Sequence, residues 1–194
     1  MLTLTFLVNT LIDLYVMVLL LRIWMQWART DFYNPFSQFV VKITQPVIRP
    51  LRRIIPPLGP IDSASLLLAF IITTLKLPLF FLIKYGVFPL EPIMLLVGLI
   101  SLVKAAGLLV FWLIIIRSLM SWVSQGRGPM DFLLMQLTEP LMAPIRRVLP
   151  AMGGIDFSAM IVILILYMLN YLGMDLLGGL WTQDFFTSNA LLAQ

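Results

Sequence analysis

Two adjacent arginines framed by prolines occur twice in this chain. Arg52 and Arg53 lie between Pro50 and Pro56, and Arg146 and Arg147 lie between Pro144 and Pro150. Proline narrows the backbone choices around it, so each pair is presented from a stiff frame. At a membrane surface such a frame can hold anionic lipid headgroups, each exposed base contributing roughly 1 kcal/mol. It can equally serve as a docking surface for a partner protein. Membrane topology by itself requires positive charge but not an Arg-Arg pair at a fixed distance from two prolines. These eight residues are the candidate docking sites, weighed against a plain role in setting topology and anchoring the chain.

A second polar set lies inside apolar runs, where ionisable side chains are costly and become functional candidates by default. Lys104 is 13 residues from both Glu91 and Arg117, or about 20 Å of helix in either direction, which puts it near a bilayer midplane. Asp13 is 9 residues before Arg22, about 13 Å in. When the two halves of the chain are aligned, Lys104 takes the place of Asn9 and Lys76 that of Asn170. Asn9, Asp13, Lys76, Lys104 and Asn170 are therefore expected to face one another in a bundle interior, with Asp13 as counter-ion to Lys104 or Lys76. Such a cluster can act as a clamp on helix register, at about 0.6 kcal/mol per contact, or as part of an ion or proton path.

Histidine and cysteine are both absent. That excludes disulfides, thiolate nucleophiles, zinc sites and haem ligation by His or Cys, and it removes the usual base of catalytic triads. No nucleophile with its base, metal cage or phosphate loop is recognisable. No enzyme, cofactor or nucleic-acid partner is expected.

The elements that must position these residues are apolar. The chain is 61% hydrophobic and 11% charged, against about 45–50% and about 25% in soluble domains. The excess gathers into four runs, 4–27, 63–84, 93–123 and 158–181, each longer than the roughly 18 residues of a transmembrane helix. The first lacks a basic n-region and a small-residue cleavage site, and reads as a retained helix.

The connections between these runs are duplicated. Residues 44–62 and 138–156 align without a gap at 9 of 19 identities, sharing Thr-x-Pro-x3-Pro-x-Arg-Arg-x2-Pro-x2-Gly-x-Ile-Asp. Upstream, Arg22 and Trp27 match Arg117 and Trp122. A repeat is an architectural statement. It predicts an all-α membrane protein of four transmembrane helices, built as two tandem hairpins over residues 1–90 and 91–194. Basic residues crowd both long connections (Arg29, Lys42, Arg49, Arg52 and Arg53; Arg127, Arg146 and Arg147). The positive-inside rule puts them in the cytoplasm and both termini outside, which is the periplasm if the membrane is a bacterial inner membrane. With two spans per unit, the copies enter the bilayer in the same direction and form a parallel repeat.

Each connection opens with a short amphipathic piece after Pro35 or Pro129. Phe36, Phe39, Val40 and Ile43 share one helical face, so the first piece is expected to lie flat among headgroups and to end at Pro46, as the second does at Pro140. Asp62 and Asp156 precede apolar runs and are expected to cap them. Thr73 and Thr74 stand ready to satisfy a carbonyl freed by Pro78. Arg22 and Arg117, each five residues before a tryptophan, read as part of an interfacial aromatic belt.

The doubled motif, with Arg-x4-Trp upstream, resembles the YggT family of small bacterial membrane proteins, and the two copies and four spans point to a proteobacterial member. The family signature falls on Pro46, Pro50, Arg52, Arg53, Pro56, Gly59 and Asp62, and on Pro140, Pro144, Arg146, Arg147, Pro150, Gly153 and Asp156. The resemblance implies a connection to osmotic tolerance and potassium homeostasis. Through relatives encoded near division genes it also implies a connection to cell division, and some plastid relatives are linked to haem attachment or nucleoid distribution. The expected function is a non-enzymatic inner-membrane accessory factor that organises or assists membrane protein complexes. The alternative is a small transport or ion-homeostasis component using the intramembrane polar cluster. Expected partners are the bilayer, its anionic headgroups, a membrane protein and a second copy of the chain.

Overall fold

The computed structural model describes residues 2–57, 59, 61–123, 128–148 and 157–182. These residues form α1 (Leu2–Trp27), α2 (Pro35–Leu51), α3 (Ser63–Tyr85), α4 (Ile93–Val123), α5 (Pro129–Val148), α6 (Ser158–Leu177) and a single turn, α7 (Gly179–Thr182). Among them, α1, α3, α4 and α6 are long and apolar enough to cross a membrane.

The longest, α4, has 31 residues, about 46 Å of helix. It is the central post, packing against α1, α3, α5, α6 and α7. The main core joins Val16, Leu19 and Met25 of α1 to Val40 and Ile48 of α2, Ala69 of α3, Leu109 of α4 and Leu133 of α5. A smaller cluster, Val110, Ile114, Met142 and Val162, ties α6 to α4 and α5. Along α6, Leu164, Met168 and Leu172 are exposed; their composition is that of a lipid-facing surface, since hydrocarbon makes no demand on apolar side chains.

The two connections touch. The Trp24 indole N–H donates to the Leu137 carbonyl at 2.9 Å, the Asp31 amide to Gln136 Oε1 at 3.1 Å, and the Asn34 amide side chain to the Pro129 carbonyl at 3.2 Å. Thus α2 and α5 sit at one end of the bundle, with the tip of the first connection laid against the second.

Three local expectations are corrected. The amphipathic pieces do not end at Pro46 and Pro140. Helix α2 continues through Pro46 and Pro50, and α5 through Pro140 and Pro144. A proline's fixed φ is helical, and its cost lies in a lost hydrogen bond and a crowded carbonyl. The four-residue spacing puts both prolines of α2 on one exposed face, opposite buried Thr44 and Ile48. Next, Thr73 and Thr74 both donate to the Phe70 carbonyl, at 2.9 and 2.8 Å, rather than to the Thr74 carbonyl that Pro78 frees. A threonine hydroxyl reaches back one turn within its own helix, and α3 stays continuous through Pro78. Finally, the fourth apolar run is not one continuous helix to 181. Gly178, at φ 50°, ends α6 with a backbone conformation that suits glycine, and α7 folds back so that the Trp181 ring covers Gly173.

Helices α3 and α4 meet closely where Gly98 faces Thr74. A Cβ added to Gly98 would sit 2.7 Å from the Thr74 Cα, whereas one added to Gly107 meets nothing within 4 Å. Small residues let membrane helices approach in this way. Gly98→Ala should therefore lower the unfolding temperature in detergent, in line with an overpacking cost of about 1–3 kcal/mol. Gly107→Ala should leave it unchanged or raise it slightly, because alanine is the better helix former. Thermal aggregation followed by size-exclusion chromatography reads both.

Candidate functional site

The residues of the first motif converge on a buried charged junction. Arg22 projects from the last two turns of α1 and is 2% exposed. Its Nη1 donates to Thr44 Oγ1 at 2.6 Å and its Nη2 to Gln45 Oε1 at 3.0 Å, both on α2. Its Nε lies 3.5 Å from Asp62 Oδ2, at the start of α3. Asp62 is 1% exposed. It accepts from Arg52 Nη2 at 2.5 Å, from Arg52 Nε at 3.3 Å and from Ser65 Oγ at 2.7 Å. One carboxylate thus gathers two guanidinium groups and a hydroxyl from α1, α3 and the connection between α2 and α3. Thr44 hands its own proton back to the Val40 carbonyl at 2.8 Å, which leaves its oxygen to accept from Arg22.

This corrects two expectations. Asp62 holds the N-cap position of α3 but makes no side-chain cap hydrogen bond; charge-assisted bonds to arginine are the stronger claim on its oxygens. Arg22 is not an interfacial anchor below Trp27. It is a buried charge that needs a paired partner. The preceding turn, which ends the Pro-Arg-Arg connection, uses Gly59 at φ 62°, a left-handed conformation that only glycine takes cheaply.

The second copy makes part of a corresponding junction of its own. Arg117 of α4 donates to Thr138 of α5 and to Met142 Sδ at 2.9 Å. Thr138 donates to the Leu134 carbonyl at 2.8 Å, as Thr44 does to Val40. Where the first copy has Gln45, the second has Glu139, which lies 3.2 Å from Arg146 and 3.9 Å from Arg117. Pro150, Gly153 and Asp156 lie outside the described residues.

Each Arg-Arg pair is therefore divided. Arg52 and Arg146 turn inward, half-buried on a carboxylate, while Arg53 and Arg147 are exposed. Pro50, Pro56 and Pro144 are exposed beside them.

The intramembrane residues form two groups rather than one cluster. Lys76 of α3 pairs with Asp13 of α1 at 2.8 Å, and Asn9 lies half-buried one turn before Asp13. Lys104 of α4 donates to the Trp181 carbonyl at 2.6 Å and lies 5.1 Å from the centre of that ring. The Trp181 indole N–H donates to Asn170 Oδ1 at 3.1 Å. The backward fold of α7 separates the groups, because Trp181 reaches Lys104 and Asn170 on the α4–α6 side. Asn170 is exposed on α6 instead of facing inward.

Sequence reasoning passed over Arg22, Thr44 and Arg117 as site residues. The signal was there: polar residues preserved between two copies embedded in apolar sequence are hard to explain unless they bond to one another. Among the described residues, no cluster of acidic side chains could hold a metal ion.

Four helices long and apolar enough to cross a membrane, joined by connections that pack on a buried arginine–aspartate junction, give the chain the make-up of a small helical membrane protein. The chain belongs to the CCB3/YggT family, which it matches in two segments, residues 1–83 and 96–177. It is 57% identical over 187 residues to "Uncharacterized protein YggT" of Escherichia coli strain K12, covering 92% of this chain and 97% of that protein. It is 52% identical over 182 residues to "Uncharacterized protein in proC 3'region" of Vibrio alginolyticus, covering 93% and 98%. A protein of Haemophilus influenzae is 44% identical over 174 residues, covering 90% and 93%. No solved structure matches the chain.

Removing the carboxylate charge at Asp62 strands Arg22, which should cost about 3–5 kcal/mol. Burial pushes the Asp62 carboxyl pKa up, but the hydrogen bonds from Arg52 and Ser65 and the charges of Arg52 and Arg22 together outweigh it. The pKa therefore lies below the ordinary value of 3.8. A depressed carboxyl pKa stabilises the fold fully above the unfolded-state value and loses that contribution as pH falls through the folded one. Asp62→Asn should thus unfold at a lower temperature than wild type at neutral pH. Acidification below 3.8 should close the gap, as read by thermal unfolding across a pH series.

Proposed function

We propose that the protein is a non-enzymatic accessory factor of the bacterial inner membrane, organising or assisting a membrane protein complex through its two Pro-Arg-Arg connections. The observation that carries this reading is the division of each arginine pair. The fold consumes Arg52 and Arg146, and leaves Arg53 and Arg147 exposed beside prolines at one end of the bundle. A topological anchor needs only charge; a second arginine held at a fixed step from the first suits a partner's acidic surface.

In this reading the chain is two tandem units, 1–90 and 91–194, arranged as a parallel repeat. The family match in two segments supports it, as do the corresponding Arg22–Thr44 and Arg117–Thr138 bonds and the contact between the two connections. Both connections then face the cytoplasm and both termini the periplasm. The process served is the osmotic stress response or cell division, with which the family resemblance connects the chain. The alternative, ion transport through the polar residues, is less well supported, because Asp13 and Lys76 neutralise each other directly and Lys104 belongs to a separate group.

The test is a pull-down of tagged protein in native nanodiscs, wild type against Arg53→Gln/Arg147→Gln, read by mass spectrometry at matched membrane levels. A stoichiometric partner lost from the variant is the expected result. Equal recovery from both proteins, or no partner with wild type, would count against docking at these arginines.

A further inference from the structure

Helix α2 carries three distinct faces. Ser37, Val40, Thr44 and Ile48 are buried against the bundle. Phe39, Ile43 and Val47 form an apolar stripe that is 57%, 39% and 42% exposed. Between the two, on the other side, Gln38, Lys42, Gln45 and Arg49 follow the spacing of one helical face. They line an open cleft of about 630 Å³ together with Phe32, Val41 and Pro46. A helix with an apolar stripe on one flank and bases on the other belongs at the headgroup boundary of a bilayer.

The bases are available. Among the described residues, neither Lys42 nor Arg49 forms an ion pair. They stand seven residues apart, about 10 Å along the axis, with Gln45 between them. The Gln45 carbonyl oxygen is already taken by buried Arg22, which leaves the amide NH2 as a further donor at the cleft.

The second unit lacks this surface. In the motif register, Lys42 corresponds to Gln136 and Arg49 to Ala143. Gln136 accepts from the Asp31 amide. Leu133 and Leu137, the counterparts of Phe39 and Ile43, are each 1% exposed. The two bases are thus not part of the doubled motif, and the feature occurs on one of the two connections.

We infer that the α2 cleft is a binding site for an anionic phospholipid. Lys42, Arg49 and the Gln45 amide hold headgroup phosphate, and Phe39, Ile43 and Val47 lie against the acyl chains. The charge of the cleft selects an anion, and the adjoining apolar stripe selects one that carries hydrocarbon. The inference needs only that α2 lies at a membrane surface; it does not depend on partner docking at Arg53 and Arg147.

The experiment equilibrates the full chain in nanodiscs of mixed phosphatidylglycerol and phosphatidylcholine and counts, by native mass spectrometry, the lipids that stay bound after release. Wild type should retain phosphatidylglycerol preferentially. Lys42→Gln/Arg49→Gln should lose about 25-fold in that preference, at about 1 kcal/mol for each base, with its unfolding temperature unchanged because both side chains are exposed. Arg53→Gln/Arg147→Gln should keep the preference. An undiminished preference in the Lys42/Arg49 variant, an equal loss in both variants, or displacement of the lipid by inorganic phosphate would each overturn the assignment.

Discussion

The Arg22 guanidinium is the constraint on which the first half of the molecule turns. A buried charge costs several kcal/mol unless it is paired and hydrogen bonded. Here the debt is met from three directions: Thr44 and Gln45 on α2, and Asp62 at the head of α3. None of these residues can move far without stranding the charge. The junction therefore sets where α2 lies against α1 and where α3 begins. Arg52 joins the same carboxylate and draws the end of α2 toward the head of α3.

The second unit answers the same problem with different chemistry. Arg117 meets Thr138 as Arg22 meets Thr44, but Glu139 stands where the first unit has a neutral glutamine, and its carboxylate is shared with Arg146. Arg117 is also less buried than Arg22, at 19% against 3% for the side chains. The stripe that α2 exposes is covered in α5. The two copies of the motif thus present different surfaces: α5 lies under the tip of the first connection, and α2 keeps its apolar stripe exposed.

Within the apolar layer, the polar contacts join helices in pairs. Asp13 and Lys76 tie α1 to α3. Lys104, Trp181 and Asn170 tie α4 to α6 through the returning turn α7. Each group gives a polar side chain among apolar helices a hydrogen-bond partner, which offsets the cost of carrying it there.

The sequence by itself determined the number of membrane-length helices, their boundaries to within a few residues at most ends, and the duplicated Pro-Arg-Arg connections. Those features depend on local quantities: the length of an apolar run, the placement of proline and glycine, and the spacing of a repeated motif. The sequence also contained every residue of the charged junction, yet it could not say that Arg22, Thr44, Arg52 and Asp62 meet, since they are brought together only when three helices pack. Only the tertiary structure decided which arginine of each pair is consumed and which is exposed, because adjacent residues point to different sides of a helix end and only neighbouring elements make one side inside. For the same reason it decided that Asp13 pairs with Lys76 while Lys104 turns to Trp181. Depth along a helix can be counted from the sequence, but the direction in which a side chain finds its partner is fixed by how the helices rotate against one another.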